Sequence, residues 1–418
     1  MQTDSTDASI PNESRRGLFR LAGAGMAAAL APGAVLAQLK AESGSPAVTL
    51  ERKGINRALD IINPDLLEAE AKKVYSDAVY IFVTQGSGKQ WTLRENQYAW
   101  SDWALNPQRM GGIVRDKIDT SVTLLGEKLP HPILVTPFGS HGLHHPEAEV
   151  ATARGAAMSG ALSCYSSAST ASLEDIAKAS PAPKWFQMYL NVDEGMSREI
   201  LQRVPRAGYK AVILTIDAIG QASSDAYVRT GKARPWLPYG NFPSGQANAF
   251  KTNLSWSDVE MIRKVTGLPV IVKGITRAED AVAAIKAGAG AIQVSNHGGR
   301  ALDGTPASIT VLPEIADAVK GQVPIILDSG IRRGTDIAKA LALGADAVAV
   351  GRPLMYALAL GGAQGVDSLL KFLHTELIET MLHLGVSRPG DLSRSHVMLA
   401  SGGRYATAPA PERAISPR

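Results

Sequence analysis

The 418-residue chain is 45% hydrophobic and carries a formal net charge of +4, from 43 basic and 39 acidic residues. This length and apolar content allow a large core, and the small charge excess, without a basic cluster, argues against a nucleic-acid partner. The single cysteine, Cys164, excludes an intramolecular disulfide and a thiolate zinc site. We expect Cys164 to be a small buried thiol, and we expect no metal site.

The N-terminal segment has the features of a bacterial export signal. The pair Arg15-Arg16 precedes an Ala- and Gly-rich stretch that ends at the small-residue site Val35-Leu36-Ala37. Its weak hydrophobicity and Pro32 argue against a membrane-spanning helix. The pattern predicts a twin-arginine signal over residues 1–37, and therefore a periplasmic or secreted protein. The folded domain is expected over residues 38–418.

Two helical stretches are predicted next, one over Leu66–Val74 and one from Trp91. From Pro132 onward, short apolar runs alternate with amphipathic segments, which is typical of buried parallel strands and the helices between them. The eight runs are Ile133–Val135, Ala161–Tyr165, Trp185–Leu190, Ala211–Ile216, Val270–Val272, Ala291–Val294, Ile325–Leu327 and Ala347–Val350.

A repeated helix-to-strand connection supports this assignment. Gly208, Gly288 and Gly344 each follow a helical segment and lead into a strand after two residues, as expected of glycines that end helices. Thr276 and Glu279 have the spacing of a capping box at a helix start. We therefore predict an α/β fold, a TIM (β/α)8 barrel with an N-terminal helical extension. A doubly wound open sheet is the alternative, although no G-x-G-x-x-G motif follows the first strand.

Residues 218–255 interrupt the alternation. They are rich in Gly, Pro, Ser and Asn and form a connection after the fourth strand that is far longer than usual. We expect this long loop to lie over the active-site face and to be partly mobile.

Polar side chains recur at the C-terminal ends of the predicted strands, where TIM barrels place their active sites. The most distinctive group is Ser295-Asn296-His297-Gly298-Gly299-Arg300, directly after the sixth strand. Histidine is suited to proton transfer near neutral pH, and arginine can bind a carboxylate through two parallel hydrogen bonds. The other candidates are Gln187, Tyr189, Thr215, Asp217, Lys273 and Asp328.

The loops after the seventh and eighth strands fit a phosphate group. Ser329–Gly334 and Gly351-Arg352-Pro353 supply glycines, cations and helix starts at the position where barrels often bind phosphate. A phosphorylated cofactor is therefore expected.

Together these motifs resemble the FMN-dependent α-hydroxy-acid oxidase and dehydrogenase family, which includes glycolate oxidase, lactate oxidase and mandelate dehydrogenase. The resemblance spans about residues 60–400. The matching motifs include Trp91–Asn96, His145–Glu147, Phe186–Tyr189, Leu214–Asp217, Val272–Gly274, Ser295–Arg300, Ile331–Asp336 and Gly351–Pro353.

The resemblance implies an FMN enzyme that oxidises a 2-hydroxy acid to the 2-oxo acid. It makes His297 the base, with Asp217 orienting it and stabilising its charge. It implies that Arg300 binds the substrate carboxylate and that Tyr189 contacts the substrate hydroxyl. Lys273 is implied to lie beside the flavin N1–C2 carbonyl, where a cation stabilises the reduced ring.

The same resemblance implies a set of cofactor-binding residues. Ser167, Gln187 and Thr215 are assigned to the pyrimidine edge, and the backbone of Pro137–Gly139 is assigned to N5. The residues assigned to the remainder of FMN are Ser295, Asp328, Gly330, Arg332, Gly351 and Arg352.

Two positions depart from the family pattern. Phe82 stands where the family has a substrate-contacting tyrosine, with Tyr80 two residues earlier as an alternative. Ser224 stands where the family has a second carboxylate-binding arginine, and Arg229 or Arg234 could replace it. The substrate therefore stays open. The alternatives are an alcohol without a carboxylate and an exported flavin-binding protein without turnover.

Weaker signals in the sequence bear on the electron acceptor and on the oligomeric state. Gly139 stands where oxidases of the family tend to have alanine and some dehydrogenases have glycine, which favours a dehydrogenase. With the predicted export, the expected acceptors are a quinone, a cytochrome or oxygen. The resemblance also implies a homotetramer.

Overall fold

The structure is a computed structural model that describes residues 54–220, 223–231, 234–243, 245 and 249–400. The predicted export signal lies outside the described residues. All described residues belong to one compact unit.

Three helices precede the barrel, and the first and the third of them overlap the two predicted helical stretches, whereas the second was not predicted. They are α1 (Leu66–Lys72), α2 (Asp77–Thr84) and α3 (Trp91–Tyr98). At the start of α2, the Ser76 hydroxyl accepts a hydrogen bond from the backbone N–H of Val79, which satisfies one of the free donors of the first turn. This helix is important for the site because its C-terminal carbonyls reach the cavity described below.

Four short strands lie outside the barrel and were not predicted. β1 (Trp103–Leu105) pairs antiparallel with the last strand, β12 (Val397–Leu399), and β2 (Val122–Leu124) pairs antiparallel with β3 (Glu127–Leu129). Leu124 and Leu129 pack with residues inside the barrel. The β2–β3 hairpin thus contributes to the inner core next to the first barrel strand.

Eight parallel strands close into a barrel, which confirms the predicted fold and makes the open-sheet alternative wrong. Each strand pairs with the next in the chain, and the last pairs with the first through Val350 and Val135. All eight overlap the predicted runs. The barrel strands are β4 (Ile133–Val135), β5 (Ser163–Ser166), β6 (Lys184–Met188), β7 (Val212–Thr215), β8 (Val270–Ile275), β9 (Ala291–Val294), β10 (Ile325–Asp328) and β11 (Ala347–Val350).

Helices surround the barrel and pack on it through a continuous apolar layer. They are α4 (Ala148–Ser159), α5 (Leu173–Ala179), α6 (Glu194–Arg206), α7 (Asp225–Arg229), α8 (Ser257–Thr266), α9 (Ala278–Lys286), α10 (Ser308–Val319), α11 (Gly334–Ala342) and α12 (Arg352–Leu384). Among the described residues, no helix is long and apolar enough to cross a membrane.

The local signals at helix ends had mixed outcomes. Gly208, Gly288 and Gly344 have φ values of 82°, 91° and 113°, so the predicted left-handed glycine after a helix is confirmed at all three. The predicted capping box of Thr276 and Glu279 is wrong. The helix begins at Ala278, and the residue before it, Arg277, makes no side-chain cap.

The barrel interior changes from apolar to polar along its axis. Trp185, Ile213, Ile271 and the thiol of Cys164 fill the lower part, which confirms that Cys164 is buried. Burial raises the pKa of this thiol. The opposite end of the barrel holds the polar residues of the site. The long connection between β7 and α8, which includes α7, lies at that end and contributes residues to the cavity described next.

Candidate active site

A cavity of about 340 Å³ lies at the C-terminal ends of the barrel strands. Residues from the ends of β4, β6, β8, β10 and β11 border it, and so do Tyr239 and Phe250 of the long loop. The predicted site residues that line it are Pro137, Gly139, Tyr189, Lys273, His297, Arg300, Asp328, Gly330, Arg332, Gly351 and Arg352. The residues that line it do not include the predicted residues Ser167, Gln187, Thr215, Asp217 and Ser295.

The centre of the site is a histidine held between a carboxylate and a phenol. His297 Nδ1 lies 2.8 Å from Asp217 Oδ1, and the Tyr189 hydroxyl lies 3.3 Å from Nε2. His297 has a φ of 59°, a strained left-handed conformation that its neighbours maintain. The Ser295 hydroxyl accepts the His297 N–H at 3.1 Å, and the Asn296 side chain accepts the Gly299 N–H. Ser295 therefore positions the histidine backbone here.

Electrostatics fix the direction of the His297–Asp217 hydrogen bond. Burial by itself raises the pKa of the Asp217 carboxyl, but the charges of His297 and Lys273 outweigh it and lower this pKa to about 2. Asp217 is therefore an ionised acceptor at neutral pH, and Nδ1 of His297 must be the donor. Nε2 then faces Tyr189 and the cavity, which is the arrangement that a general base requires.

A second buried network surrounds Asp328 at the end of β10. Its Oδ2 accepts hydrogen bonds from Gln293 Nε2 at 2.7 Å and from the Thr136 hydroxyl at 3.2 Å, and it lies 3.8 Å from Lys273 Nζ. Its Oδ1 accepts from the Ser329 hydroxyl at 2.7 Å. This network fixes both the carboxylate and the ammonium group at the cavity wall.

Two buried donor groups beside the cavity have no hydrogen-bond partner among the described residues. They are Nε2 of Gln187 and the hydroxyl of Thr215. Ser166 donates to Oε1 of Gln187 at 2.7 Å, which leaves the amide nitrogen as the free donor. Buried polar atoms are nearly always paired, so this edge fits the carbonyl and ring nitrogen groups of a flavin pyrimidine. Ser167 differs, because its hydroxyl already accepts the Tyr189 N–H at 3.1 Å.

The opposite part of the cavity fits a phosphate group. The start of α12 lies there with Gly351, and the side chains of Arg332 and Arg352 line the same wall. Burial lowers the pKa of the Arg352 guanidinium. Gly330 has a φ of 91°, and a Cβ at this position would collide with the Asn96 carbonyl. The loop after β10 can therefore take its conformation only with glycine.

Arg300 is partly buried at the cavity and is held by backbone carbonyls. Its Nη1 donates to the carbonyls of Phe82 at 2.6 Å and Gln85 at 3.2 Å, and its guanidinium lies 4.8 Å from the centroid of the Phe82 ring. No described acidic residue forms an ion pair with it. Burial and the charges of Arg352 and Arg234 lower its pKa to about 9.

The structure resolves the two departures from the family pattern. Phe82 lines the cavity, whereas Tyr80 donates to Glu68 at 3.2 Å outside it, so the alternative assignment of Tyr80 is wrong. The Ser224 hydroxyl caps α7 by accepting the Tyr227 N–H at 2.9 Å. No hydroxyl from the N-terminal helices thus reaches the described part of the site.

Several residues of the site were not predicted, among them Ser166, which holds Gln187. Thr136 and Gln293 hold Asp328, and Gln293 had a usable signal because it is the one polar residue in the run Ala291–Val294. Tyr239 and Phe250 border the cavity from the long loop, and the Phe250 ring centroid lies 4.9 Å from that of Tyr189. The loop has no periodic pattern that would have identified them.

These features define a TIM barrel with a cavity that fits a phosphorylated cofactor and with a histidine whose free ring nitrogen faces that cavity. Residues 71–399 match the family of FMN-dependent dehydrogenases, and the chain belongs to that family. It is an FMN-dependent oxidoreductase.

Several known proteins are similar over most of the chain. The L-lactate oxidase of Lactobacillus jensenii is 41% identical, over 82% of this chain and 86% of its own length. A peroxisomal (S)-2-hydroxyacid oxidase of Arabidopsis thaliana is 38% identical, over 81% of this chain and 96% of its own length. The crystal structure of a Pediococcus acidilactici lactate oxidase is 39% identical in sequence and has a TM-score of 0.81. The match covers 85% of this chain and 99% of that one. A mandelate oxidase structure with (S)-2-phenylpropionate is 37% identical in sequence and has a TM-score of 0.75. The match covers 80% of this chain and 98% of that one.

Proposed function

We propose that this protein oxidises a 2-hydroxy acid to the corresponding 2-oxo acid. The observation that carries the proposal is the pairing of His297 and Asp217 beside Arg300, a cation without a described acidic partner. A base next to an anion-binding side chain fits a substrate whose hydroxyl is adjacent to a carboxylate. The names of the relatives, lactate oxidase and (S)-2-hydroxyacid oxidase, support the same substrate class.

Each residue of the site has a defined task in this reaction. Arg300 binds the carboxylate, and the hydroxyl of Tyr189 orients the substrate hydroxyl towards His297. Nε2 of His297 takes the hydroxyl proton, and the ionised Asp217 stabilises the imidazolium that results. Bound FMN would supply the acceptor for the hydrogen that leaves the α-carbon together with the two electrons of the oxidation.

The cofactor would be held by the residues whose chemistry fits it. Gln187 and Thr215 would pair with the pyrimidine edge, and Lys273 would place its charge beside the ring. Arg332, Arg352 and the N-terminus of α12 would bind the phosphate. The remaining predicted cofactor residues, Pro137, Gly139, Ser167, Ser295, Asp328, Gly330 and Gly351, would shape the site between these ends.

Anaerobic bleaching of the flavin tests the substrate class. Glycolate, lactate and mandelate are mixed with the FMN-loaded protein, and each is paired with the matching alcohol that lacks a carboxylate. We expect bleaching by one or more of the acids and none by the alcohols. Bleaching only by the alcohols would refute the proposal, and an H297Q variant serves as the control without a base.

We also propose export through the twin-arginine pathway, with a quinone or a cytochrome as the electron acceptor alongside oxygen. The support is the sequence of residues 1–37 and the glycine at position 139. Fractionation of cells that carry the wild-type protein or an R15K/R16K variant tests the export. Reoxidation rates with oxygen and with a soluble quinone test the acceptor.

We propose further that the protein forms a homotetramer, as the family resemblance implies. Light scattering coupled to size-exclusion chromatography measures the mass directly, and a monomer at micromolar concentration would contradict this proposal.

A further inference from the structure

Asn96, near the end of α3, lies between two turns of the active site. Its side chain bonds to Asn296, which begins the turn after β9 that carries His297. Its backbone carbonyl lies where a Cβ on Gly330, in the turn after β10, would fall. Asn96 is buried, and none of the described residues that line the cavity belongs to its motif, Trp91–Asn96. The proposed reaction therefore leaves this motif without an explanation.

Two reciprocal hydrogen bonds join the side chains of Asn96 and Asn296. Nδ2 of Asn96 donates to Oδ1 of Asn296 at 2.8 Å, and Nδ2 of Asn296 donates to Oδ1 of Asn96 at 2.7 Å. Backbone groups fix the orientation of Asn296, because its Oδ1 also accepts the Gly299 N–H at 3.2 Å and its Nδ2 also donates to the Pro306 carbonyl at 2.9 Å. The Asn96 amide must then present its Nδ2 to Oδ1 of Asn296. Both side chains are buried, where an unmade hydrogen bond is costly.

The turn that Asn296 begins has a strained backbone. His297, Gly298 and Gly299 have φ values of 59°, 64° and 74°, so three consecutive residues are in the left-handed region. Glycine adopts this region readily but a residue with a Cβ does not, so the strain lies at His297. Such a conformation persists only where its surroundings hold it. The turn packs on the start of α3, because a Cβ on Gly299 would lie 2.7 Å from the Leu93 nitrogen.

The backbone position of His297 decides whether its ring reaches Asp217. The carboxylate side packs closely on the barrel, because a Cβ on Gly274 of β8 would lie 2.8 Å from the Cβ of Asp217. The second carboxylate oxygen, Oδ2, is buried without a hydrogen-bond partner among the described residues. No second hydrogen bond in that part of the chain thus aligns the pair. The contact of 2.8 Å between Nδ1 and Oδ1 depends on where the turn places the imidazole.

We propose that Asn96 is a positioning residue for the histidine base. Its amide holds Asn296, and Asn296 holds the turn in which Nδ1 of His297 reaches Asp217. The inference rests on the proposed function for the role of His297 as a base, but the hydrogen bonds can be tested without it. Because Asn96 does not line the cavity, it acts through the turn and not through contact with the substrate.

Nuclear magnetic resonance of the His297 ring tests this role without turnover. FMN-loaded wild type, Asn96→Leu and Asn96→Ala are prepared with isotopically labelled histidine, and the His297 signals are assigned by their loss in His297→Gln. In the wild type, we expect a proton on Nδ1 that resonates at low field and exchanges slowly with water. In both Asn96 variants, this proton should shift and should exchange at least about tenfold faster.

The two substitutions and a control separate the hydrogen bonds from general loosening of α3. Leucine nearly keeps the size of asparagine and alanine does not, while both favour a helix, so a shared effect comes from the lost amide. Thr92→Val is the matched control in the same helix. The buried Thr92 hydroxyl donates to the Thr305 carbonyl at 2.9 Å and accepts the Gly304 N–H at 3.0 Å. This variant should lower stability in urea unfolding and leave the His297 proton unchanged.

Steady-state kinetics give a second readout. The guanidinium of Arg300 is held by the carbonyls of Phe82 and Gln85, so the substrate should still bind in the Asn96 variants. For the best 2-hydroxy acid, kcat should fall at least about tenfold, whereas KM should change by less than about threefold. Thr92→Val should keep the wild-type kcat.

Three results would overturn the inference. The first is a wild type without a protected proton on Nδ1 of His297. The second is an unchanged proton signal in Asn96→Leu, which decides the question even if Asn96→Ala does not fold. The third is an equal change of this signal in Thr92→Val. If the Asn96 variants lose the proton but the wild type oxidises no 2-hydroxy acid, the proposed function fails and the positioning of His297 by Asn96 stands.

Discussion

The Asp217→Asn variant tests the base directly, because it removes the charge that orients His297. The carboxylate accepts the Nδ1 hydrogen at 2.8 Å, and its pKa falls from 3.8 to about 2 although burial opposes this. The difference corresponds to roughly 2 kcal/mol of net stabilisation of the carboxylate. In the variant, the imidazolium formed during catalysis loses its hydrogen-bonded carboxylate, and a hydrogen bond to a charged group contributes about 2 kcal/mol. The proton transfer should therefore slow by about 30-fold.

This factor is a lower limit for a geometric reason. The amide of an asparagine can donate to Nδ1 of His297, which moves the proton of the neutral imidazole to Nε2. Nε2 then no longer accepts the substrate proton. A loss well above about 30-fold would indicate this tautomer effect in addition to the lost charge.

Anaerobic stopped-flow reduction at saturating substrate is the appropriate assay, because it isolates the reductive step from reoxidation. Asp303→Asn is the control, since the Asp303 carboxylate also accepts an N–H hydrogen bond, from the backbone of Thr92 at 2.9 Å, but lies outside the cavity. The flavin spectrum shows whether FMN is bound. The reasoning is refuted if Asp217→Asn retains FMN and is reduced within about threefold of the wild-type rate.

Three further predictions concern the cofactor site and stability. Gln187→Leu removes the free amide donor and should weaken FMN binding about tenfold in equilibrium dialysis, whereas binding equal to wild type would contradict the assignment. Gly330→Ala should lower the free energy of urea unfolding by at least about 1 kcal/mol, because the φ of 91° and the nearby Asn96 carbonyl both exclude a Cβ. The Asp217 contribution to stability should be fully present above pH 3.8 and lost as pH falls through about 2, because the folded-state pKa is the lower one. Urea unfolding of wild type and Asp217→Asn between pH 5 and 2 measures this difference, and a gap that does not narrow would count against it.

The barrel could be predicted because its strands are buried on both faces. Runs such as Ile133–Val135 and Ala347–Val350 are continuously apolar, and the structure begins and ends these strands at the predicted residues. The polar residue after each run then had to lie at one end of the barrel. His297, Lys273 and Asp328 were placed correctly at the same cavity by this topology alone.

Other features depend on contacts between distant segments and had no local signal. The β1–β12 pair joins segments almost three hundred residues apart in sequence. Tyr239 and Phe250 reach the cavity from a loop without periodicity. The predicted cap at Thr276 failed because the capping pattern is short and occurs without forming a cap, whereas strand pairing is enforced by the closed barrel.

The N-terminal extension solves an electrostatic problem that the barrel cannot solve alone. Arg300 and Arg352 both lie at the cavity without an acidic partner among the described residues, and an unpaired buried cation is costly. The last carbonyls of α2 have no partners within the helix and carry the negative end of its dipole. The carbonyl of Val83 accepts from Nε of Arg352 at 3.0 Å and from Nη1 of Arg300 at 3.4 Å, and Gln85 accepts from both.

One helix end therefore holds the cation assigned to the substrate and the cation assigned to the phosphate. Carbonyls stabilise a guanidinium without neutralising it, so both arginines keep their positive charge for an anionic ligand. An acidic residue in place of the helix end would compete with that ligand. The carbonyls at the end of α2 belong to the backbone and do not depend on which side chains stand at positions 82 and 224. Phe82 and Ser224 can thus replace the tyrosine and arginine of the family pattern while Arg300 and Arg352 keep the carbonyls that hold them.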